Sequence, residues 1–142
     1  MKILLAIDDS KFSEAAVRAV IAHHKLQGLE VRVLHAAEPP IVMMTPEFAE
    51  YIPPTESSEA ATALVGRAAG ALRSTGVKVA TAIVQGDPKS IILDDAKAWG
   101  SDLIVLGSHG RKGLERFMLG SVSESVLRHA HCSVEIIRLP AK

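Results

Sequence analysis

The chain has 142 residues, a length that fits one domain able to bury a core without disulfides or a structural metal. Lys plus Arg and Asp plus Glu number 16 each, and this balance argues against a nucleic-acid partner, which requires a basic face. No apolar run approaches membrane-spanning length, and the single cysteine, Cys132, excludes an intramolecular disulfide. We therefore expect a cytoplasmic protein without a membrane partner, in which Cys132 has a structural role and not a reactive one.

Five apolar runs alternate with four helical patterns along the chain. The first run, Ile3 to Ile7, is uninterrupted, as expected for a strand buried on both faces of a parallel sheet. Ser10 can cap the first helix, and Asp87 with Pro88 can start the third. The predicted strands cover residues 3–7, 31–37, 77–84, 103–106 and 134–139, and the predicted helices cover residues 10–28, 61–76, 87–100 and 121–130.

The segment between the second strand and the second helix, residues 38–54, is rich in Pro, Met and Glu. This composition predicts a long loop. Its apolar stretch from Pro39 to Met44 favours burial against the domain's own core, with a lid or an interface patch as the alternatives.

The alternation predicts an α/β fold, a doubly wound parallel sheet of five strands with helices on both faces. In such sheets, ligands bind beyond the carboxyl ends of the strands, where the winding direction reverses. Asp8 follows the first strand and Gly107 follows the fourth, so both residues face one crevice if these strands are neighbours. A carboxylate there suits ribose hydroxyls; the alternative for Asp8 is a turn that starts the helix.

A glycine-rich loop is the most informative segment. Gly107-Ser-His-Gly110 is followed after nine residues by Gly120-Ser121, between an apolar strand and a helix. Such a loop cradles phosphate, because glycines allow close approach and the first N–H groups of the helix point at the anion. Ser121-Val-Ser-Glu124 predicts a capping box at the helix start. The loop is not a Walker P-loop, since no Gly-Lys-Ser/Thr triplet is present, nor does it contain the Gly-x-Gly-x-x-Gly fingerprint.

Few charged or metal-ligating side chains accompany this loop. Arg111 and Lys112 either contact a terminal phosphate or lie on a solvated loop face. Of the 6 histidines, His109 alone is a candidate ligand contact, through hydrogen bonding and not as a catalytic base. No carboxylate or cysteine completes a metal set, so the sequence predicts neither catalytic residues nor metal ligands.

The pattern Gly107-x2-Gly110-x9-Gly120-Ser121 resembles the ATP-binding signature of the universal stress protein family. The resemblance extends over the whole chain. It includes the opening from Ile3 to Ser10, Gly86-Asp-Pro88 and the string from Asp102 to Gly110. It implies a five-stranded parallel sheet in the order 3-2-1-4-5, which places strands one and four side by side.

The resemblance also implies a set of binding residues and an assembly. Asp8 and the backbone near Ala6 and Ala36 are expected at the adenosine, with Leu106 and Gly107 on the base and ribose side. The resemblance further implies that the ligand is ATP, with Mg²⁺ held through the phosphates, and that the protein forms a homodimer through its last strand, Val134 to Leu139. The chain departs from the family pattern at Asp9, where Gly is common, and at Ser133, where Pro often opens the strand. The residues expected at the phosphates are His109, Gly110, Gly120, Ser121, Val122 and Ser123.

The function that this resemblance implies is that of an ATP-binding stress-response sensor or regulator, acting through nucleotide-dependent conformation or assembly. One alternative is an enzyme of the same architecture, a slow ATPase or a nucleotidyl transferase, although no general base is evident at the loop. Another is a flavin-binding electron carrier, which uses aromatic residues around the ring, whereas Trp99 lies on the core stripe of a helix.

Overall fold

A computed structural model describes residues 1–24, 27–39, 41–44, 47, 49–53, 56–110 and 119–139 of the chain. Within these ranges, no helix has the length and apolar character that crossing a membrane requires. The elements are β1 (Lys2–Ala6), α1 (Lys11–His23), β2 (Glu30–Ala37), β3 (Ile41–Met44), β4 (Ala49–Ile52), α2 (Ser58–Arg73), β5 (Lys78–Gln85), α3 (Pro88–Trp99), β6 (Leu103–Gly107), α4 (Ser121–His129) and β7 (Ser133–Ile137).

Five strands form one parallel sheet in the order β5-β2-β1-β6-β7. Because β3 and β4 form a separate hairpin, this is the predicted order 3-2-1-4-5 once the hairpin strands are left out of the count. The predicted α/β fold is confirmed. β1 is paired with β2 on one side and β6 on the other, so the winding direction reverses at β1, as ligand binding in such sheets requires.

We predicted a long loop for residues 38–54, but part of this segment forms β-strands. Ile41–Met44 and Ala49–Ile52 pair as a two-stranded antiparallel hairpin. The described side chains of this hairpin are exposed, including Met44 and Tyr51. Burial against the core was predicted for residues 39–44, and it does not hold for Pro39 and Met44, which are exposed. Pro and Glu hid the short strands, because both residue types are depleted in β-strands.

Two apolar layers cover the two faces of the sheet. Ile3 and Leu5 of β1 face α1 and α2, whereas Leu4 and Ala6 face α3 and α4. Successive side chains of a strand point to opposite faces, so a strand buried on both sides must be apolar at every position. The uninterrupted run at the start of the chain therefore follows from the central position of β1.

The described residues form four helices, and three of these begin with a side-chain cap. Ser10 accepts from the N–H of Ser13, Ser57 from that of Ala60, and Asp87 from that of Lys89. The predicted caps at Ser10 and Asp87 are thus confirmed. α4 begins differently, and the difference lies at the candidate site.

Candidate functional site

A cavity of about 370 Å³ lies at the carboxyl ends of β1, β2 and β6. Its volume falls within the range of small-molecule sites. The structure brings all the predicted site residues together in its lining: Ala6, Asp8, Ala36, Leu106, Gly107, His109, Gly110, Gly120, Ser121, Val122 and Ser123. The pairing of β1 with β6 is responsible, because it sets the end of the first strand beside the glycine loop.

Hydrogen bonds from the start of α1 fix the carboxylate of Asp8. Its Oδ1 accepts from the backbone N–H of Ser10 and from the hydroxyl of Ser13, both at 2.9 Å. The Ser13 hydroxyl accepts in turn from the Asp8 N–H at 2.8 Å. These bonds combine the two roles that the sequence left open for Asp8, since the residue organises the turn and still lines the cavity.

The site glycines are required by close packing within the protein. None of Gly107, Gly110 and Gly120 has a positive φ. A Cβ on Gly107 would lie 2.6 Å from Cβ of Phe12 and 2.9 Å from its carbonyl carbon, so α1 could not pack as it does. A Cβ on Gly110 would lie 2.8 Å from Oδ2 of Asp8. On Gly120 it would lie 3.1 Å from the Ser108 carbonyl oxygen.

The start of α4 is not the capping box that the sequence predicted. Gly120 is the N-cap residue, with no side-chain bond to the helix, and Ser121 is already helical. Ser123 is turned inward, because its hydroxyl donates to the Ser108 and Gly120 carbonyls at 2.8 and 3.0 Å. The Gly120 N–H also donates to Ser108, at 2.8 Å.

The first turn of α4 consequently presents N–H groups to the cavity. The first N–H groups of a helix have no intrahelical acceptor, and α4 has no side-chain cap to replace one. Ser121, Val122 and Ser123 all line the cavity. Their N–H groups carry the positive end of the helix dipole, which favours an anion.

His109 contributes a buried ring nitrogen that has no hydrogen-bond partner among the described residues. The residue is 9% exposed, and its ring packs on Phe12 with a centroid distance of 5.2 Å. Nδ1 is 3.1 Å from the hydroxyl of Ser108. Among the described residues, Nε2 of His109 is the one buried side-chain nitrogen or oxygen without a hydrogen-bond partner. Such groups are rare in folded proteins, and one in a cavity lining indicates a ligand contact.

A buried contact between a histidine and a glutamate in the lining was missed by the sequence reasoning. His35 of β2 is 3% exposed; its Nδ1 lies 2.7 Å from the Ile7 carbonyl oxygen and its Nε2 lies 2.7 Å from Oε1 of Glu56. Glu56 precedes α2, 21 residues away in sequence. Nothing in the local sequence pairs the two residues, although the polar His35 within an apolar strand was a usable signal.

The remaining lining is mostly apolar. Leu34, Ala36, Ile92, Leu106 and Val122 form a wall continuous with the second core layer. Ser13, Glu38 and Pro88 also line the cavity and were not predicted as site residues. Arg111 and Lys112, the predicted basic pair, lie outside the described residues. Within the described part of the chain, no group of three His, Cys, Asp or Glu residues is arranged to hold a metal ion.

Sequence comparison places this chain among known proteins. The profile described as Universal stress protein family matches residues 1–138. Universal stress protein YxiE of Bacillus subtilis is 34% identical over 146 residues, which cover 96% of this chain and 98% of that protein. Universal stress protein MJ0531 of Methanocaldococcus jannaschii is 45% identical over 67 residues, but the match spans only 47% of this chain and 39% of that protein.

Solved structures share the fold over nearly the whole chain. Hypothetical protein MJ0577 superposes with a TM-score of 0.81 at 26% identity, covering 99% of this chain and 97% of that one. The AMP-bound universal stress protein family protein of Arabidopsis thaliana has a TM-score of 0.72 at 21% identity, with 99% and 93% covered. The universal stress protein of Archaeoglobus fulgidus in complex with dAMP has a TM-score of 0.68 at 24% identity, with 97% and 98% covered. At such identities the last two establish the fold alone.

Two glycine substitutions should change the free energy of unfolding in opposite directions, because Gly107 contacts Phe12 closely and Gly66 has open space around it. Gly107→Ala should lower the free energy of unfolding by about 1–3 kcal/mol, because the new methyl group overlaps α1. Gly66→Ala, in exposed α2 with nothing within 4 Å of the added carbon, should raise it by roughly 0.4–1 kcal/mol. Urea denaturation of both variants measures the difference, and a Gly107 variant as stable as the wild type would contradict this account of the loop.

Proposed function

This chain belongs to the universal stress protein family, and we propose that it binds an adenine nucleotide, ATP in particular, in the cavity at the β1–β6 reversal. The protein then acts as a stress-response regulator whose conformation or assembly depends on the bound nucleotide. The observation that carries the proposal is the unpaired Nε2 of His109 beside the uncapped first turn of α4. Both are suited to an anion, and both line one cavity.

The adenosine half of the ligand fits the ends of β1 and β2. The Asp8 carboxylate is held by Ser10 and Ser13 through Oδ1, an arrangement that leaves its direction fixed toward the loop. A fixed carboxylate is an acceptor for ribose hydroxyls. The apolar wall that includes Ala36 and Leu106 offers the flat surface that a purine base requires.

The phosphate half fits the loop and α4. Amide groups of Ser121, Val122 and Ser123 would donate to phosphate oxygens, as helix N-termini do elsewhere. His109 Nε2 would add a side-chain donor. In the described residues the Gly120 N–H has a protein acceptor, so we assign Gly120 the role of shaping the loop and not of binding. Mg²⁺ would be held through the phosphates, as it often is in nucleotide sites, with water completing its coordination.

Two relatives by fold support adenine as the base. The proteins of Arabidopsis thaliana and Archaeoglobus fulgidus carry AMP and dAMP respectively. Their ligands share a purine and an α-phosphate, which are the parts that the apolar wall and α4 are placed to contact here. ATP, the ligand that we propose, contains these parts and has two further phosphates.

The outer edge of β7 supports assembly as a homodimer. β7 is the last strand of the sheet, and among the described strands it pairs with β6 alone. The Ile137 carbonyl accepts from Ser108, so this residue faces β6, and the alternating residues Val134 and Ile136 turn their backbone groups outward. An antiparallel second copy would satisfy those groups.

Half-buried Cys132 and the absence of any other cysteine accord with the cytoplasmic location that we propose.

Nucleotide binding is tested by isothermal titration calorimetry with ATP, ADP and AMP in the presence of Mg²⁺. The double variant Gly110→Val with Gly120→Val should lose binding, because its side chains displace Asp8 and the Ser108–His109 backbone. Gly70→Val is the matched control, since that glycine is exposed in α2 with nothing within 4 Å. A wild-type protein that binds none of the three nucleotides would refute the proposal.

His109 can be tested separately from the backbone. His109→Asn keeps a polar atom near Ser108 and removes Nε2, so we expect ATP affinity to fall roughly 10- to 100-fold, the value of a hydrogen bond to a charged group. His129→Asn is the control, because His129 is exposed at the end of α4, where it bonds to the Ser125 carbonyl. Unchanged affinity in the His109 variant would exclude its contact with the ligand.

The proposed dimer is tested at Val134. Val134→Pro removes an outward N–H, which an edge strand tolerates, and should convert a dimer to a monomer without unfolding. Val134→Thr keeps both the N–H and the branched shape and should leave the dimer intact. Sedimentation velocity gives the masses, and dimers of equal strength for the two variants would argue against assembly through β7.

A further inference from the structure

The hairpin formed by β3 (Ile41–Met44) and β4 (Ala49–Ile52), which we call the arm, makes its main described contacts within itself. Its strands pair with each other, and neither packs extensively on another described helix or strand. Met44 and Tyr51 are 77% and 62% exposed. An isolated two-stranded hairpin is marginally stable in water, so the arm is the part of the described structure that is easiest to shift.

Glu56 follows the arm by four residues in sequence, and its side chain contacts His35. Glu56 contacts Nε2 of His35 through both carboxylate oxygens, at 2.7 and 3.1 Å. The side chains are 12% and 4% exposed, so water competes little for either partner. This contact joins a buried residue of the sheet to the segment that follows the arm.

The hydrogen-bond partners of His35 determine which of its two ring nitrogens must donate. A carbonyl oxygen only accepts, so His35 must donate from Nδ1 to Ile7. A single shared proton then joins Nε2 to the Glu56 carboxylate, and the pair has no net charge whichever partner holds it. The other end of this chain of contacts is the Ile7 carbonyl, in the residue before Asp8.

The pair is also part of the cavity wall. His35 and Glu56 line it together with Asp8 and Ala36, the residues at the proposed adenosine end. A ligand that contacts Asp8 therefore restrains the Ile7–Asp8 peptide, and with it the acceptor that orients His35. Restraining His35 in turn fixes Glu56 and the base of the arm.

We propose that the His35–Glu56 pair links nucleotide occupancy to the arm, so that a filled cavity holds the arm in place and an empty one releases it. This inference rests on the proposed nucleotide binding and adds the route by which binding is regulated and transmitted. Coupling of this kind is reciprocal, so whatever holds the arm also raises affinity for the nucleotide. Glu56 and His35 are thus positioning residues.

Chymotrypsin reports the state of the arm. The chain has no Lys or Arg between Arg32 and Arg67, so trypsin cannot cut the arm, whereas Tyr51 is exposed within it. Saturating ATP with Mg²⁺ should slow cleavage within the arm of the wild type roughly tenfold, a typical size for coupling between sites. Deuterium exchange of residues 49–57 should slow in parallel.

Two substitutions should break the link from either end. In Glu56→Ala and in His35→Asn, cleavage rates with and without saturating nucleotide should become equal. A merely structural role would speed cleavage in both states and leave their ratio unchanged, which would overturn the proposal. Glu56→Gln should retain part of the ratio, because its amide can donate to a neutral His35. Glu59→Ala, at the exposed start of α2, should behave as the wild type.

Calorimetry on the same samples separates the two proposals. Absence of nucleotide binding by the wild type would refute the proposed function itself. Measured binding with no change in cleavage or exchange at the arm would overturn the link alone. If Glu56→Ala does not fold, His35→Asn and the wild-type measurements still decide the matter.

Discussion

The pairing of β1 with β6 is the constraint on which the rest of the site depends. It sets the end of the first strand close to the glycine loop, and at two positions of the loop there is no room for a Cβ atom. Gly107 meets the backbone of Phe12, and Gly110 meets the carboxylate of Asp8. β1 and β6 are apolar on both faces, so helices must cover both sides of these strands. This requirement sets the order of the sheet. A site at this edge is therefore a consequence of how the core is built, and the loop could not move away without disturbing the packing of α1.

The electrostatics of the cavity are arranged in two halves. Asp8, Glu38 and Glu56 lie toward the ends of β1 and β2, whereas the start of α4 and His109 lie toward the loop. The positive end of a helix dipole and an unpaired imidazole nitrogen favour negative charge, and carboxylates favour hydroxyl or amino donors. A ligand that is rich in donors at one end and anionic at the other matches both halves. A nucleotide has this polarity, as does any phosphorylated sugar or nucleoside, so the apolar wall beside Ala36 and Leu106 is what favours a base.

Much of this arrangement could be predicted from the sequence, for reasons that are local. The apolar run from Ile3 to Ile7 identifies a central strand, and Ser10 and Asp87 mark helix starts through short-range bonds. The start of α4 could not be read in this way. Ser121 and Glu124 have the spacing of a capping box, but Gly120 donates to Ser108 and draws the helix start back by one residue. The hairpin and the His35–Glu56 pair were missed because each depends on contacts between segments, and no propensity within either segment specifies them.

The His35–Glu56 pair, which prediction missed, has a physical basis at the strand end, and Glu56 follows the hairpin by four residues in sequence. A strand end that holds a ligand must expose backbone groups, and here the Ile7 carbonyl is occupied by His35 instead of by a longer sheet. Satisfying that carbonyl brings a second nitrogen of the same ring into the interior, where it requires a partner of its own. Glu56 supplies it, and in doing so ties the segment after the arm to the edge that receives the ligand. Within the described residues, the His35–Glu56 contact thus joins the segment that follows the arm to the wall of the cavity.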